Sequence, residues 1–290
     1  MSWLWIVAIP FAAQVVRISV PYALASLGGA LTERSGVIDL AIEAKLLAGA
    51  FAAAAVAHAT GSTWLGLAGG MSAGVAVALV QAFCALWLEA DQVIVGVALN
   101  LMMLGGTRFL LQVLYHEGAN SPPCPEYGDA VLANPTVWLA VAAAVCVPLA
   151  LTRTRWGLRL RAAGDRPDAL VAVGASVKQE RVAAVAVGGA LAGAGGAQLA
   201  LAVGGFVANI SQGRGYMALV LVILSGWRPG WAALAGVGIA FADALNFRLQ
   251  ITGLPVLREL GPLLPYVLTL AVLVIFGGQK QKPPESLGKL

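Results

Sequence analysis

The sequence predicts an all-α protein, a polytopic transmembrane helix bundle with 8–10 spans. Of the 290 residues, 59% are hydrophobic and only 11% are charged, whereas soluble domains carry about 25% charged residues. Several uncharged apolar runs also reach the roughly 20 residues that a helix needs to cross the hydrocarbon core of a bilayer. Both observations favour a single membrane domain over residues 1–290, and no stretch is polar enough to form a soluble domain.

Apolar runs divide the chain into nine expected helices. These cover residues 3–30, 40–58, 64–88, 92–114, 136–151, 182–203, 213–225, 231–246 and 262–277. Residues 17–45 are ambiguous, because charged side chains such as Glu33 and Lys45 interrupt the apolar pattern and Pro21 is a candidate helix break. This stretch fits either one helix followed by a re-entrant or cytoplasmic segment, or two short helices.

Glycines recur at four-residue spacing in two of the expected helices. Gly66, Gly70 and Gly74 form one series, and Gly189 with Gly193 forms another. Small residues at this spacing allow membrane helices to approach closely, although glycine that is merely tolerated in an apolar helix would give the same pattern.

Basic residues concentrate in one loop, residues 152–181, which holds seven of the 18 Lys and Arg residues of the chain. Loops rich in Lys and Arg stay on the cytoplasmic side of a membrane. The loop 115–135 has acidic residues but no Lys or Arg, so we expect it outside. Counting spans from it places 152–181, Trp227 with Arg228, and the tail 278–290 in the cytoplasm. The same bias explains the net charge of +4, so nucleic acid is not an expected partner.

No catalytic, cofactor or metal site is predicted. The chain has no phosphate-binding loop, no Cys/His metal spacing and no nucleophile elbow, and His58 and His116 both fall at expected outer membrane edges. An ion-coupled secondary transporter is one candidate class for this chain. Transporters of that class use ionisable groups inside the membrane. Asp243 could serve as such a group, or it could pair structurally with Arg248.

Polar side chains within apolar runs are candidates for lining a path for a polar solute. Within a bilayer such groups must face a bundle interior, where they contact either solute or a neighbouring helix. Both roles stay open for the four tentative path residues, which are Gln81, Asn100, Gln198 and Asn209.

Five segments, in order along the chain, resemble one transporter family. They read TERSGVIDLAIE at 32–43, ADQVIVGVALN at 90–100, GLRLRAAGDRP at 157–167, GRGYMAL followed by GWRP between 213 and 229, and PYVLTL at 265–270. Together they resemble the permeases of ABC importers related to ribose and branched-chain amino-acid permeases, in particular the nucleoside-type branch. Departures from the pattern cluster near the first segment, where Asp39 replaces Asn and Ala44-Lys45 stands where Gly and an apolar residue are usual.

The resemblance implies a permease subunit in the bacterial cytoplasmic (inner) membrane that carries a nucleoside-like solute. Its implied partners are two ABC ATPase subunits, a second permease subunit that is identical or homologous, and an extracytoplasmic substrate-binding protein. ATP hydrolysis would then belong to the ATPase, and this chain would have no catalytic residue. The departures keep riboflavin, simple sugars and branched-chain amino acids as alternative solutes.

The resemblance also implies that loop 152–181 carries the segment that couples the permease to its ATPase. In this interpretation Gly164 and Pro167 shape a turn, and Asp168 lies at the positive end of a short helix. Asp165 and Arg166 would make charged contacts at the rim, and an apolar knob would dock into the ATPase. The residues of that knob are Ala169, Leu170 and Val173.

Overall fold

The computed structural model describes residues 2–128, 131–251, 263, 267 and 283–289. The helices within these ranges are α1 (Ser2–Arg34), α2 (Ile42–Thr60), α3 (Thr63–Leu86), α4 (Gln92–Tyr115), α5 (Pro135–Arg153), α6 (Arg155–Asp165), α7 (Pro167–Ala172), α8 (Val177–Leu201), α9 (Arg214–Leu224) and α10 (Pro229–Ile251). A 3-10 turn at Val131–Ala133 precedes α5. The helix expected over 262–277 lies outside the described residues, apart from 263 and 267.

Seven of the described helices are long and apolar enough to cross a membrane: α1, α2, α3, α4, α5, α8 and α10. Helix α9 is apolar but has only 11 residues, a length of roughly 16 Å that cannot span a core of about 30 Å. Over the same ranges the β-structure amounts to one isolated bridge, between Asn120 and Val207. The all-α membrane bundle predicted from the sequence is therefore confirmed.

The ambiguous stretch near the N-terminus is one long helix followed by a short irregular segment. Helix α1 continues through Pro10 and Pro21 as far as Arg34, so Pro21 does not end it. Residues 35–41, which we name the connector, are non-helical and lead into α2. The alternative of two short helices is thereby ruled out for this stretch.

Glycines form the contact between α3, α8 and α2. A Cβ atom added to Gly74 would lie 2.8 Å from the Cα of Gly193, and one added to Gly49 would lie 2.6 Å from the same atom. Both distances are shorter than any real Cβ contact, so only glycine allows these backbones to meet. The close-packing interpretation of the four-residue glycine spacing is confirmed.

The two ends of the bundle are closed by different segments. At the end where α8 finishes, the backbone N–H of Ser121 donates to Phe206 O (2.8 Å) and that of Cys124 donates to Gly204 O (2.9 Å). At the end where α8 begins, the α6–α7 region meets the connector and residues 283–289. The segments that the charge pattern assigns to the cytoplasm therefore gather at one end of the molecule.

Candidate functional site

The connector interrupts the helical hydrogen-bond pattern, and side chains of neighbouring helices replace the missing partners. Gln81 of α3 donates from Nε2 to Ile38 O (3.0 Å), and Gln92 of α4 accepts from the Ile38 N–H (2.7 Å). Both amides are buried. Gln81 Oε1 and Gln92 Nε2 find no hydrogen-bond partner among the described residues, so each amide keeps one polar atom unpaired beside the connector.

Asn100 of α4 binds the end of the connector and the first turn of α2. Its Nδ2 donates to Leu40 O (2.8 Å), and its Oδ1 accepts from the Ala44 N–H (2.8 Å). Helix α2 starts after Ala41, whose side chain cannot accept a hydrogen bond from the first helical N–H groups. Asn100 therefore caps a helix to which it does not belong.

Two of the departures from the family pattern are partners in space. Lys45 Nζ donates to Asp39 Oδ1 at 2.6 Å, and the two side chains are 0% and 1% exposed. An unpaired charge at this depth would be costly. The acidic residue at position 39 therefore compensates the basic residue at position 45, a relation that spacing along the sequence did not reveal.

Glu43 caps α9 from outside that helix, and it is not among the site residues predicted from the sequence. Its Oε1 accepts from Ser211 Oγ (2.5 Å) and from the Gly213 N–H (2.9 Å), and its Oε2 accepts from the Gly215 N–H (2.7 Å). The carboxylate is thus placed at the positive end of the helix dipole. The available signal was an acidic residue in the first turn of an apolar helix, which needs donors from elsewhere.

Gln198 and Asn209 lie apart from Gln81 and Asn100 in their contacts. Gln198 Oε1 accepts from Asn134 Nδ2 (2.9 Å) and from Thr136 Oγ1, which ties α8 to the start of α5. Asn209 is half-buried in the turn before α9, with a left-handed φ of 62°. The structure therefore brings Gln81 and Asn100 together at the connector, while solute contact stays a prediction for all four.

Asp243, the candidate coupling carboxylate of a secondary transporter, accepts a hydrogen bond from Tyr22 Oη at 2.7 Å. The guanidinium of Arg248 instead lies over the ring of Phe11, 5.8 Å from its centroid. The structural partner of Asp243 is therefore Tyr22, and not Arg248, the partner that the sequence offered as one alternative.

The expected coupling segment consists of two short helices joined at Arg166. Thr154 begins α6 by accepting from the Gly157 N–H (3.0 Å), and Pro167 occupies the first turn of α7. The backbone of Gly164 lies against that of Arg34, where an added Cβ atom would collide with the carbonyl oxygen of Arg34. The segment is thereby held against the end of α1.

The exposed apolar side chains of this segment differ from the expected set by one residue. Val173 is 76% exposed, whereas Leu170 is buried at 2% and Val171 is exposed at 62% in its place. Successive helical residues point about 100° apart, so the Leu170 side chain faces the protein interior while that of Val171 faces outward. Leu170 anchors the segment and does not belong to its outer surface.

Residues 283–289 fasten the coupling segment to the rest of this end. The Ser286 N–H donates to Gly164 O (2.9 Å) and its Oγ to Ala163 O (3.1 Å). Arg181 of α8 donates from Nη2 to Ser286 Oγ (3.3 Å) and from Nε to Ser35 O (3.2 Å). A displacement of α6 and α7 would consequently displace both α8 and the connector.

Comparisons with known proteins agree on one family. A family model described as the permease component of branched-chain amino acid transport systems matches residues 11–276. The chain is 33% identical to the putative glucose ABC transporter permease protein TsgC13 of Haloferax volcanii, over 91% of both chains. It is 30% identical to the guanosine ABC transporter permease protein NupQ of Bacillus subtilis, over 91% of this chain and 90% of the relative. It is also 30% identical to the nucleoside ABC transporter permease protein NupC of Lactococcus lactis, over 93% of both chains.

A solved structure supports the fold. The chain described as an inward-facing conformation of a putative metal-chelate type ABC transporter superposes with a TM-score of 0.55, covering 93% of this chain and 86% of that one. The sequence identity is 15%, so this likeness concerns the fold alone.

Proposed function

Since the chain belongs to the family of permease components of branched-chain amino acid transport systems, we propose that it is the ABC importer subunit that passes a nucleoside-like solute across the membrane. The observation that carries this proposal is the similarity to permeases for guanosine and for nucleosides over more than nine-tenths of the chain. The five ordered motifs noted in the sequence agree with it.

A simple sugar is the second candidate solute, because the chain is 33% identical to a putative glucose permease. Uptake of labelled guanosine and glucose, in a host that lacks its own carriers and expresses the partner subunits, separates the two. We expect guanosine to be taken up, and we expect excess unlabelled uridine, but not glucose, to inhibit that uptake. Uptake of glucose, riboflavin or a branched-chain amino acid without guanosine uptake would overturn the nucleoside assignment.

We place the solute path beside the connector, where polar groups gather inside an otherwise apolar bundle. Gln81 supports this placement, because its Oε1 is buried without a partner among the described residues and a solute donor could satisfy it. Asn100 also lies beside the connector, whereas Gln198 and Asn209 make their contacts elsewhere and would line a continuation of the path. Asn100 and Gln198 are already hydrogen-bonded in this conformation, so they would contact solute only after those bonds exchange.

We propose that energy enters through the α6–α7 segment, which would dock on a partner ATPase. Arg166, Asp168 and Ala169 are exposed together with Val171 and Val173, so the segment offers charged and apolar groups on one short stretch. A coupled change requires that the ATPase contact differ between two states of the bundle. Because Gly164 is hydrogen-bonded to Ser286, a displacement of the docking segment would be transmitted to α8 and α1.

The proposed assembly contains two permeases, two ATPases and a binding protein. Purification of the chain in mild detergent should recover an ATPase and a second permease, and the binding protein should raise ATP hydrolysis in lipid. Recovery of a folded chain alone, transporting solute in response to an ion gradient, would favour the secondary-transporter class instead.

Arg166→Glu tests the docking surface within that assembly. We expect ATP-driven uptake to fall at least tenfold with normal membrane insertion, because the exposed charge is reversed at the proposed contact. Arg153→Glu, an exposed charge reversal at the end of α5, is the control and should retain uptake. Equal uptake by both variants would contradict the assignment of the docking segment.

A further inference from the structure

A groove with a volume of about 770 Å³ runs between α1, α5 and α10, at the end of the bundle where the basic loops gather. Ser19 and Ala23 of α1, the stretch 140–152 of α5 and the stretch 229–237 of α10 form its walls. Most of the lining side chains are small or apolar. The size lies within the roughly 300–1,000 Å³ typical of ligand pockets.

The length of the groove matches one leaflet of a bilayer. Its α5 wall runs from Ala140 to Thr152, which corresponds to about 18 Å at the helical rise of about 1.5 Å per residue. A hydrocarbon core of about 30 Å divides into leaflets of about 15 Å. The groove therefore extends from one membrane surface to near the midplane.

Three arginines line the groove at its basic end: Arg34, Arg161 and Arg228. The described lining residues include no Asp or Glu. Asp165 is close enough to attract Arg34 electrostatically, and Arg161 and Arg228 are close enough to repel it. The Nε of Arg161 is buried and has no hydrogen-bond partner within the described ranges. The three arginines outnumber the nearby Asp165 carboxylate, and together with the unpaired donor they favour the binding of an anion.

We propose that this groove binds an anionic phospholipid of the leaflet at that end. One acyl chain would lie along the α5 and α10 walls, and the phosphate would contact the three guanidinium groups. Basic pockets between transmembrane helices recognise acidic lipid headgroups in this way, and guanidinium groups bind phosphate with paired hydrogen bonds. A lipid in this position would link α1, α6 and the start of α10, and so would contact the first helix of the α6–α7 docking segment.

Native mass spectrometry of the purified complex with added phosphatidylglycerol or phosphatidylcholine tests the headgroup contact. The double variant Arg161→Gln/Arg228→Gln should retain phosphatidylglycerol at least tenfold more weakly, with phosphatidylcholine unchanged. The double variant Arg153→Gln/Arg155→Gln is the control, because both arginines are exposed on the same side and neither lines the groove. Equal loss in both variants, or no loss in the first, would overturn the proposal.

A second pair of variants tests the acyl contact without altering charge. Val141→Trp fills the groove, while Val145→Trp places the same ring on an exposed position of α5 outside it. Only Val141→Trp should reduce phosphatidylglycerol binding. If inorganic phosphate displaces the lipid and both Trp variants bind as the parent does, the site holds a free anion and the proposal is wrong. Leu234→Cys tests whether a second permease covers the groove. If two chains are trapped by a disulfide at this position and phosphatidylglycerol binding does not change, the groove belongs to a permease dimer and the lipid proposal is wrong.

Discussion

Lys45 shows how strongly a single side chain can depend on its partner. It has no exposed surface and donates to Asp39 at 2.6 Å. Removing one member of a buried ion pair costs roughly 3–5 kcal/mol, because the remaining charge stays buried and unpaired. We therefore expect Lys45→Met alone and Asp39→Asn alone each to lower the midpoint of thermal unfolding in detergent.

The double variant Asp39→Asn/Lys45→Met is the decisive comparison. Replacing both members of a buried pair is often neutral, so the double variant should unfold close to the parent. The substitution also restores Asn at position 39, as in the nucleoside-type pattern. Additive losses in the double variant would show that the two side chains do not act as a pair.

Asn100 allows the two roles left open by the sequence to be separated. Asn100→Leu would leave Leu40 O and the Ala44 N–H without their present partners, at about 1–3 kcal/mol for each buried group. Gln112→Leu, an exposed amide on the same helix, is the control. If Asn100 lines the path, uptake falls while the complex with the ATPase still assembles. Loss of assembly in this variant alone would assign Asn100 to holding α2 in place.

The seam between α3 and α8 determines how closely the central helices approach one another. Gly193 lies against Gly74 and Gly49, so a methyl group there must displace backbone. We expect Gly193→Ala to destabilise the bundle by about 1–3 kcal/mol or more. Gly105→Ala is the control, because a Cβ at that helical position meets nothing within 4 Å and alanine favours helix. If both variants unfold at the same temperature in detergent, close contact between α3 and α8 is not required for stability and the prediction is wrong.

Apolar periodicity predicted the centres of the elements better than their ends. Helix α8 was expected from residue 182 but begins at Val177, where Ser176 accepts from the Gln179 N–H (3.4 Å) and a charged turn follows. Helix α1 was expected to end at residue 30 but reaches Arg34, because Glu33 accepts from Trp227 Nε1 (2.5 Å) and Arg34 donates to Trp227 O (2.7 Å). At the end of α1 the charged residues extend the helix through a partner more than 190 positions away, which no local window contains.

Across the whole molecule, charge predicted which segments belong together, while the contacts that join them were not predictable. The Lys and Arg distribution grouped loop 152–181 with Trp227, Arg228 and the tail, and these segments do meet at one end. The hydrogen bonds of Ser286 to Ala163 and Gly164 depend on backbone carbonyls at the end of α6. Every residue has a carbonyl, so sequence could not single these out. Of the polar amides around the connector, Gln81 and Asn100 were predicted by residue type and Gln92 was not, and their shared target, the connector backbone, was not predicted.

The direction of insertion is the property of the whole molecule on which the proposed coupling depends. Val173 and Glu117 are exposed near opposite ends of the bundle, and the basic loop should face the cytoplasm. In a background without Cys84, Cys124 and Cys146, Val173→Cys should react with a membrane-impermeant maleimide only in inside-out vesicles. Glu117→Cys should react only in right-side-out vesicles. The reverse pattern would place the docking segment where no ATPase could reach it, and the proposed energy input would fail while the fold and the family stood.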